Sequence, residues 1–252
     1  MMLAVRALAL ALAAVAISLS GCGARPSSFE RRYDVGSVDL YVECRGSGTP
    51  VVLLEAGLGS GHEAWSRVEP KIARQTRTCA YDRAGIGRSG DRRASAVPID
   101  EPVHELHTLL HAADVDPPYV YVGHSVGGIY ALAFMRSFPT AVAGAVYVDG
   151  TPPSFADLLG DGRGVVRFAG PSGPVTAKLG GRPAIYLAAN NSGTGYGNAE
   201  RVQAVGSGHS IQDDRPALVI EAVREVVDAV RERERLPPCR KSRLPQVGGR
   251  CE

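Results

Sequence analysis

The strongest constraint on the fold is a set of short apolar runs that each stop at a glycine or a polar residue. "PVVLLEA" (50–56), "PYVYVGH" (118–124), "AGAVYVDG" (143–150) and "RPAIYLAA" (182–189) are of this kind. A strand open to water on one face alternates apolar and polar residues. A run that is apolar on both sides belongs to a strand covered on both faces, as in a parallel sheet between helices. Amphipathic segments at 62–75, 99–115, 126–137 and about 215–234 supply those helices. In the last, Leu218, Ala222, Val226 and Val230 recur at every fourth residue. In the second, Asp100 is expected to act as N-cap, with Pro102 in the first turn. "TRTCAYD" (76–82) and "ERVQAVG" (200–206) add strands, and "RRYDVGSVDLYVEC" (31–44) reads as a hairpin turning at Gly36-Ser37. The class is α/β with a mainly parallel sheet, and 252 residues suffice for one large domain.

Hydrophobic residues at 44% and charged residues at 21% are ordinary for a globular chain. A net charge of +2 with scattered arginines gives no reason to expect a nucleic-acid partner; Arg231, Arg233 and Arg235 alternate with glutamates, as on a solvated helix end. The first residues are different. Arg6 precedes a stretch of thirteen largely apolar residues (7–19), too short to span a bilayer, and "LSGC" follows at 19–22. This is the layout of a secretion signal, and L-S-G-C resembles the bacterial lipobox. That resemblance implies a signal peptide at 1–21, a lipidated Cys22 opening the mature chain, a tether over 22–30 and anchoring to the outer face of the cell membrane. An ordinary cleaved signal is the alternative. In an oxidising compartment the four other cysteines (Cys44, Cys79, Cys239, Cys251) permit two disulfides, and buried free thiols remain open.

The chemistry centres on "VGHSVGG" (122–128), in which Ser125 lies between Gly123 and Gly127. A strand-to-helix turn this tight needs small neighbours at both positions, and it forces the serine into a strained conformation with its oxygen exposed. The amide of Val126 opens the helix, where it faces developing negative charge. "LEAGLGSGHEAW" (54–65) follows a strand with a glycine-rich loop, and the Leu58 amide there is the best second donor. "GSGHSIQDDRP" (206–216) sets His209 between the last parallel strand and the last helix. His104, His107 and His111 share a helix face but lack supporting carboxylates, so they read as incidental. "GIGRSG" (85–90) opens no helix, so its dinucleotide-binding spacing carries no function. Asp82-Arg83 reads as loop-holding, and His62 and His124 as pocket-lining or packing residues.

"EAGLGSGHEAW", "YDRAGIGRS", "VGHSVGG", "VYVDGTPP" and "GSGHSIQDDRP", in this order, resemble the α/β-hydrolase superfamily over about residues 30–236. The resemblance implies an eight-stranded, mainly parallel sheet, with Ser125 as nucleophile and His209 as base. Its typical substrates are esters, thioesters or amides of small acyl groups, and it requires no cofactor or metal. The oxyanion loop is the single-glycine type, with Ala56-Gly57 in place of the usual His-Gly. Side-by-side second and fourth strands further imply a Cys44–Cys79 bridge, and a Cys239–Cys251 bridge could pin an irregular tail at 237–252.

Most relatives carry the acid after the seventh strand, yet residues 182–199 hold no aspartate or glutamate, and Asn190 and Asn191 stand in its place. Asp149, at the end of the sixth strand, is the assigned acid, a placement known in some lipases of this fold. Asp157, Glu200 and an asparagine substitution at Asn191 stay open. Residues 150–181, where a helical lid usually sits, include eight glycines and read as a reduced lid. The resulting expectation is a lipid-anchored serine hydrolase of small or medium acyl esters. Its partners would be the ester substrate and, through Cys22, the membrane. A non-catalytic lipoprotein on the same scaffold, or perhydrolysis or carbon–carbon cleavage by the same residues, are the alternatives.

Overall fold

A computed structural model describes residues 28–92, 97–151, 180–189 and 199–252. The apolar runs form strands as their composition demands. β1 (Ser28–Asp34) and β2 (Asp39–Arg45) make the amino-terminal hairpin, and β3 (Val51–Glu55) is buried throughout. The short α1 (Glu69–Ile72) leads to β4 (Thr78–Tyr81), and α2 (Asp100–Ala112) to β5 (Tyr119–His124). α3 (Gly127–Ser137) and β6 (Val142–Val148) follow, then β7 (Ala184–Ala188) and β8 (Glu200–Ala204). α4 (Ile211–Asp214), α5 (Pro216–Glu232) and β9 (Gly249–Cys251) close the chain.

The strands lie in the order β1-β2-β4-β3-β5-β6-β7-β8-β9. The six from β4 to β8 in that order are mutually parallel, and β1, β2 and β9 run antiparallel to their neighbours at the two margins. The sheet is therefore mixed and nine-stranded, which corrects the expected eight. The extra strand comes from the carboxy-terminal tail, which is not irregular: two 3-10 turns lead into β9, and Cys239–Cys251 ties its end back. Three residues are too few to show the alternation that marks a strand. Cys44 and Cys79 face each other in the β2–β4 register, with Cα atoms 4.1 Å apart, and are bridged.

Side chains alternate between two cores, one on each face of the sheet. Leu53, Tyr121, Tyr147 and Tyr186 pack beneath α2 and α3. Leu54, Val122, Val148 and Leu187 pack against Trp65, Ile72 and the Leu218–Val227 face of α5.

Two helix expectations need correction. The segment 62–75 is not one helix but a 3-10 turn (His62–Trp65) followed by α1, with Pro70 near the start of the second piece. A proline there has no N–H to continue an earlier turn. Asp100 does not cap α2, whose N-cap is Ile99 and makes no side-chain bond; Asp100 instead pairs with Arg136 on α3.

Because the central strands are parallel, the loops after β3, β5, β6 and β8 all emerge at one edge of the sheet. In open α/β sheets this carboxyl edge is where ligands bind.

Candidate active site

Ser125 stands directly after β5 with φ of 53°, in the left-handed region that a serine rarely adopts. A side chain at Gly123 would lie 2.6 Å from the Gly127 backbone, and one at Gly127 would lie 2.5 Å from the Glu55 carbonyl oxygen. Both positions therefore require glycine, and the turn is closed tightly around the serine. The Ser125 amide donates to Val148 O (3.1 Å), while its carbonyl accepts from Gly128 N (3.0 Å) and Thr151 N (2.8 Å).

Asp149 follows β6, also at positive φ (44°), and is buried. One carboxylate oxygen, Oδ1, accepts from Ala189 N at 3.0 Å; the other, Oδ2, meets His209 Nδ1 at 2.6 Å. The residues are sixty apart in sequence, and the fold brings them together. The loop carrying His209 is held by Asp214, whose Oδ2 accepts from Gly208 N (2.8 Å) and Ser207 Oγ (3.3 Å). From below, His124 Nε2 lies 3.0 Å from His209 O, and the two imidazole rings are 4.7 Å apart. Burial, and next the charge available on His209, push the His124 pKa down to about 4, so His124 is neutral and donates through Nε2.

The loop after β3 comes up beside the serine. A Cβ at Gly57 would sit 2.9 Å from His124 Nδ1 and 3.5 Å from Ser125 Cβ. Gly57 to Ser60 forms a turn in which Ser60 N donates to Gly57 O (3.3 Å) and Gly59 takes φ of 70°. Leu58, at its tip, is the one large apolar side chain exposed among the described residues. Neither the Leu58 nor the Val126 amide has a protein acceptor among the described residues.

A family model described as the alpha/beta hydrolase fold matches residues 49–166. An esterase structure from Thermogutta terrifontis superposes with a TM-score of 0.64 at 18% identity, covering 80% of this chain and 99% of that one. The chain has the α/β-hydrolase fold. Among sequence relatives, the uncharacterised Bacillus subtilis (strain 168) protein YqjL is 40% identical over 101 residues, covering 40% of each chain. A pimeloyl-acyl-carrier protein methyl ester esterase from Sodalis glossinidius (strain morsitans) is 33% identical over 129 residues, 51% of this chain and 46% of that protein. The aligned stretches thus span less than half the length of these curated relatives.

Within this hydrolase fold the other sequence candidates are placed as follows. Glu200 opens β8 at the sheet edge away from the site, and its Oε1 accepts Cys239 N (3.0 Å). Cys22, Asp157, Asn190, Asn191 and most of the 150–181 segment lie outside the described residues. Asp82, His62 and Glu63 bring ligand-type atoms within 4.8 Å of one another. However, the Asp82 oxygens already accept from the His62 (2.6 Å) and Arg88 (2.8 Å) amides, which is the work of a loop-holding carboxylate. His107 stacks on Phe138 at 3.9 Å, and His104 bonds the Asp100 carbonyl. Two residues near the site were not legible as such. His124 was ambiguous between lining and packing, and Glu55 was absorbed into an apolar run. A lone carboxylate in a fully covered strand is itself a signal, because it demands buried partners.

Proposed function

We propose that the protein is a serine hydrolase that cleaves small or medium acyl esters through an acyl-enzyme. The observation that carries this reading is the 2.6 Å contact of His209 Nδ1 with the buried Asp149 carboxylate, at the sheet edge where Ser125 sits on its tight turn. With Nδ1–H donated to Asp149, His209 presents the Nε2 lone pair to take a proton. Ser125 Oγ attacks the ester carbonyl as its proton passes to Nε2. The carbonyl oxygen becomes an oxyanion, which accepts from the Leu58 and Val126 amides. Collapse breaks the bond to the alcohol, which leaves with the proton from His209. A water then repeats the sequence on the acyl-enzyme, releasing the acid and restoring Ser125. No step requires a cofactor. The methyl ester esterase among the sequence relatives favours ester chemistry.

We further propose that the enzyme is exported and held to the membrane by lipid on Cys22. Two disulfides favour an oxidising compartment. No helix among the described residues is long and apolar enough to cross a membrane. One experiment tests both parts. Cells expressing the full chain are fractionated, each fraction is treated with a fluorophosphonate probe, and turnover is measured on 4-nitrophenyl esters of graded chain length. The labelled band should lie in the membrane fraction. Ser125→Ala should abolish labelling and lower turnover by roughly 10⁴-fold or more, and Cys22→Ala should leave the protein soluble or unprocessed. Hydrolysis near the wild-type rate in Ser125→Ala would end the mechanism. A mature terminus elsewhere than Cys22 would end the anchoring.

A further inference from the structure

Glu55, the last residue of β3, is 1% exposed and lies directly beneath the loop that carries Leu58. Its Oε2 accepts from two tyrosine hydroxyls, Tyr81 and Tyr121, the latter at 2.7 Å. Its Oε1 pairs with Arg83 Nη1, itself buried. The guanidinium does not stop there. Nη1 also donates to Ala56 O (2.8 Å), Nη2 donates to Gly57 O, and the group lies 5.1 Å above the Tyr130 ring of α3. One planar cation thus spans a carboxylate and two successive carbonyls, while touching the helix that follows the nucleophile.

The consequence follows from peptide geometry. A trans peptide is planar, so its C=O and the next N–H point in opposite directions. Pulling Gly57 O down onto Arg83 turns Leu58 N–H up, toward the side where Gly57 lies against Ser125. Gly57 has no side chain to restrict that peptide; its carbonyl is held by Arg83 Nη2 and, at a longer 3.3 Å, by the Ser60 amide of the same turn. Apolar residues could fill the same space without burying charges, but they could not grip two carbonyl oxygens. We propose that Arg83, aimed by Glu55, is the positioning residue that sets the Leu58 amide as an oxyanion donor. The inference rests on the hydrolase reading above and extends it to a residue pair that touches no substrate atom.

The test is a double-mutant cycle of Arg83→Lys and Leu58→Pro, assayed on 4-nitrophenyl butyrate. It also measures binding of a trifluoromethyl ketone, to whose carbonyl carbon Ser125 Oγ adds, its proton passing to His209 as the ketone oxygen becomes an alkoxide. Lysine keeps a positive charge beside Glu55 but lacks the fork that reaches both carbonyls. Proline at position 58 removes the N–H itself, at a turn position that favours proline. Arg83→Lys should melt near the wild-type temperature and keep KM within about twofold. It should lower kcat and ketone affinity together, each by roughly 10²-fold. In the Leu58→Pro background the same change should cost nothing further, because the donor it positions is already gone. An equal loss in both backgrounds, or no loss in either, overturns the proposal. If Arg83→Lys does not fold, Glu55→Gln replaces it in the same cycle, with the same pattern expected in smaller measure. A wild-type protein inert to fluorophosphonate removes the hydrolase reading and this one with it. A labelled wild type with an uncoupled cycle removes this one alone.

Discussion

At the scale of single residues the site depends on positions that the chain would otherwise avoid. Ser125 and Asp149 are both held at positive φ, and each is fixed by bonds from its own backbone to a neighbouring strand. The surroundings make Asp149→Asn the most informative change. The fold and the bond from Ala189 N should survive, because an amide oxygen also accepts. An amide cannot stabilise the imidazolium that forms on His209 as Ser125 attacks, so kcat should fall by about 10⁴-fold with KM little changed. Steady-state kinetics on one activated ester decides it; a mild effect would move the acid to another residue. The serine was legible because glycines at fixed offsets between a strand and a helix have a steric meaning. The aspartate is reached by elimination and by the placement known in some lipases of this fold, since nothing in a sequence links positions 149 and 209. Arg83 was read as loop-holding without its partner, because the register that sets Glu55 beneath the same loop is a property of the sheet.

At the scale of elements, the central parallel strands were legible from composition, since coverage on both faces leaves little room for polar residues; Glu55, which its buried partners satisfy, is the exception in β3. Pieces shorter than one period were not. The interrupted 62–75 segment and the three-residue β9 carry too little pattern to identify. Both disulfides act on such margins. Cys44–Cys79 joins β2 to β4 across a separation of 35 residues, and Cys239–Cys251 holds the tail across 12. Loop-closure entropy assigns them about 4 and about 3 kcal/mol of stability, respectively. Paired serine variants should lower the unfolding free energy in urea by amounts in that order. An equal or reversed ranking would show that the loss acts through the folded state and not through chain entropy.

For the molecule as a whole, two buried groups pull stability in opposite directions as pH changes. His124 has its pKa held down to about 4, chiefly by burial, while burial pushes Glu69 up to about 7. As pH falls from about 6.5 toward 4, the unfolded chain protonates His124 and the folded one does not, so this group destabilises the fold in acid. Glu69 takes up its proton in the folded state first, from about pH 7 downward, and so favours the fold in acid. The slopes of these two groups oppose each other between about pH 4.5 and 6.5. His124→Gln keeps a donor for His209 O but does not titrate. Relative to wild type it should gain on the order of 2–3 kcal/mol between pH 7 and pH 4.5, read from urea unfolding at each pH. Parallel profiles would remove His124 as a titrating group. The margins of the sheet carry a different consequence. β1 exposes Glu30, Arg31, Arg32 and Asp34 along one rim, and the other rim is a three-residue strand whose last residue is covalently tied. An incoming strand from a second copy would meet mixed charge on one side and almost no free backbone on the other. Edge-to-edge growth into fibres is therefore disfavoured when many copies crowd together.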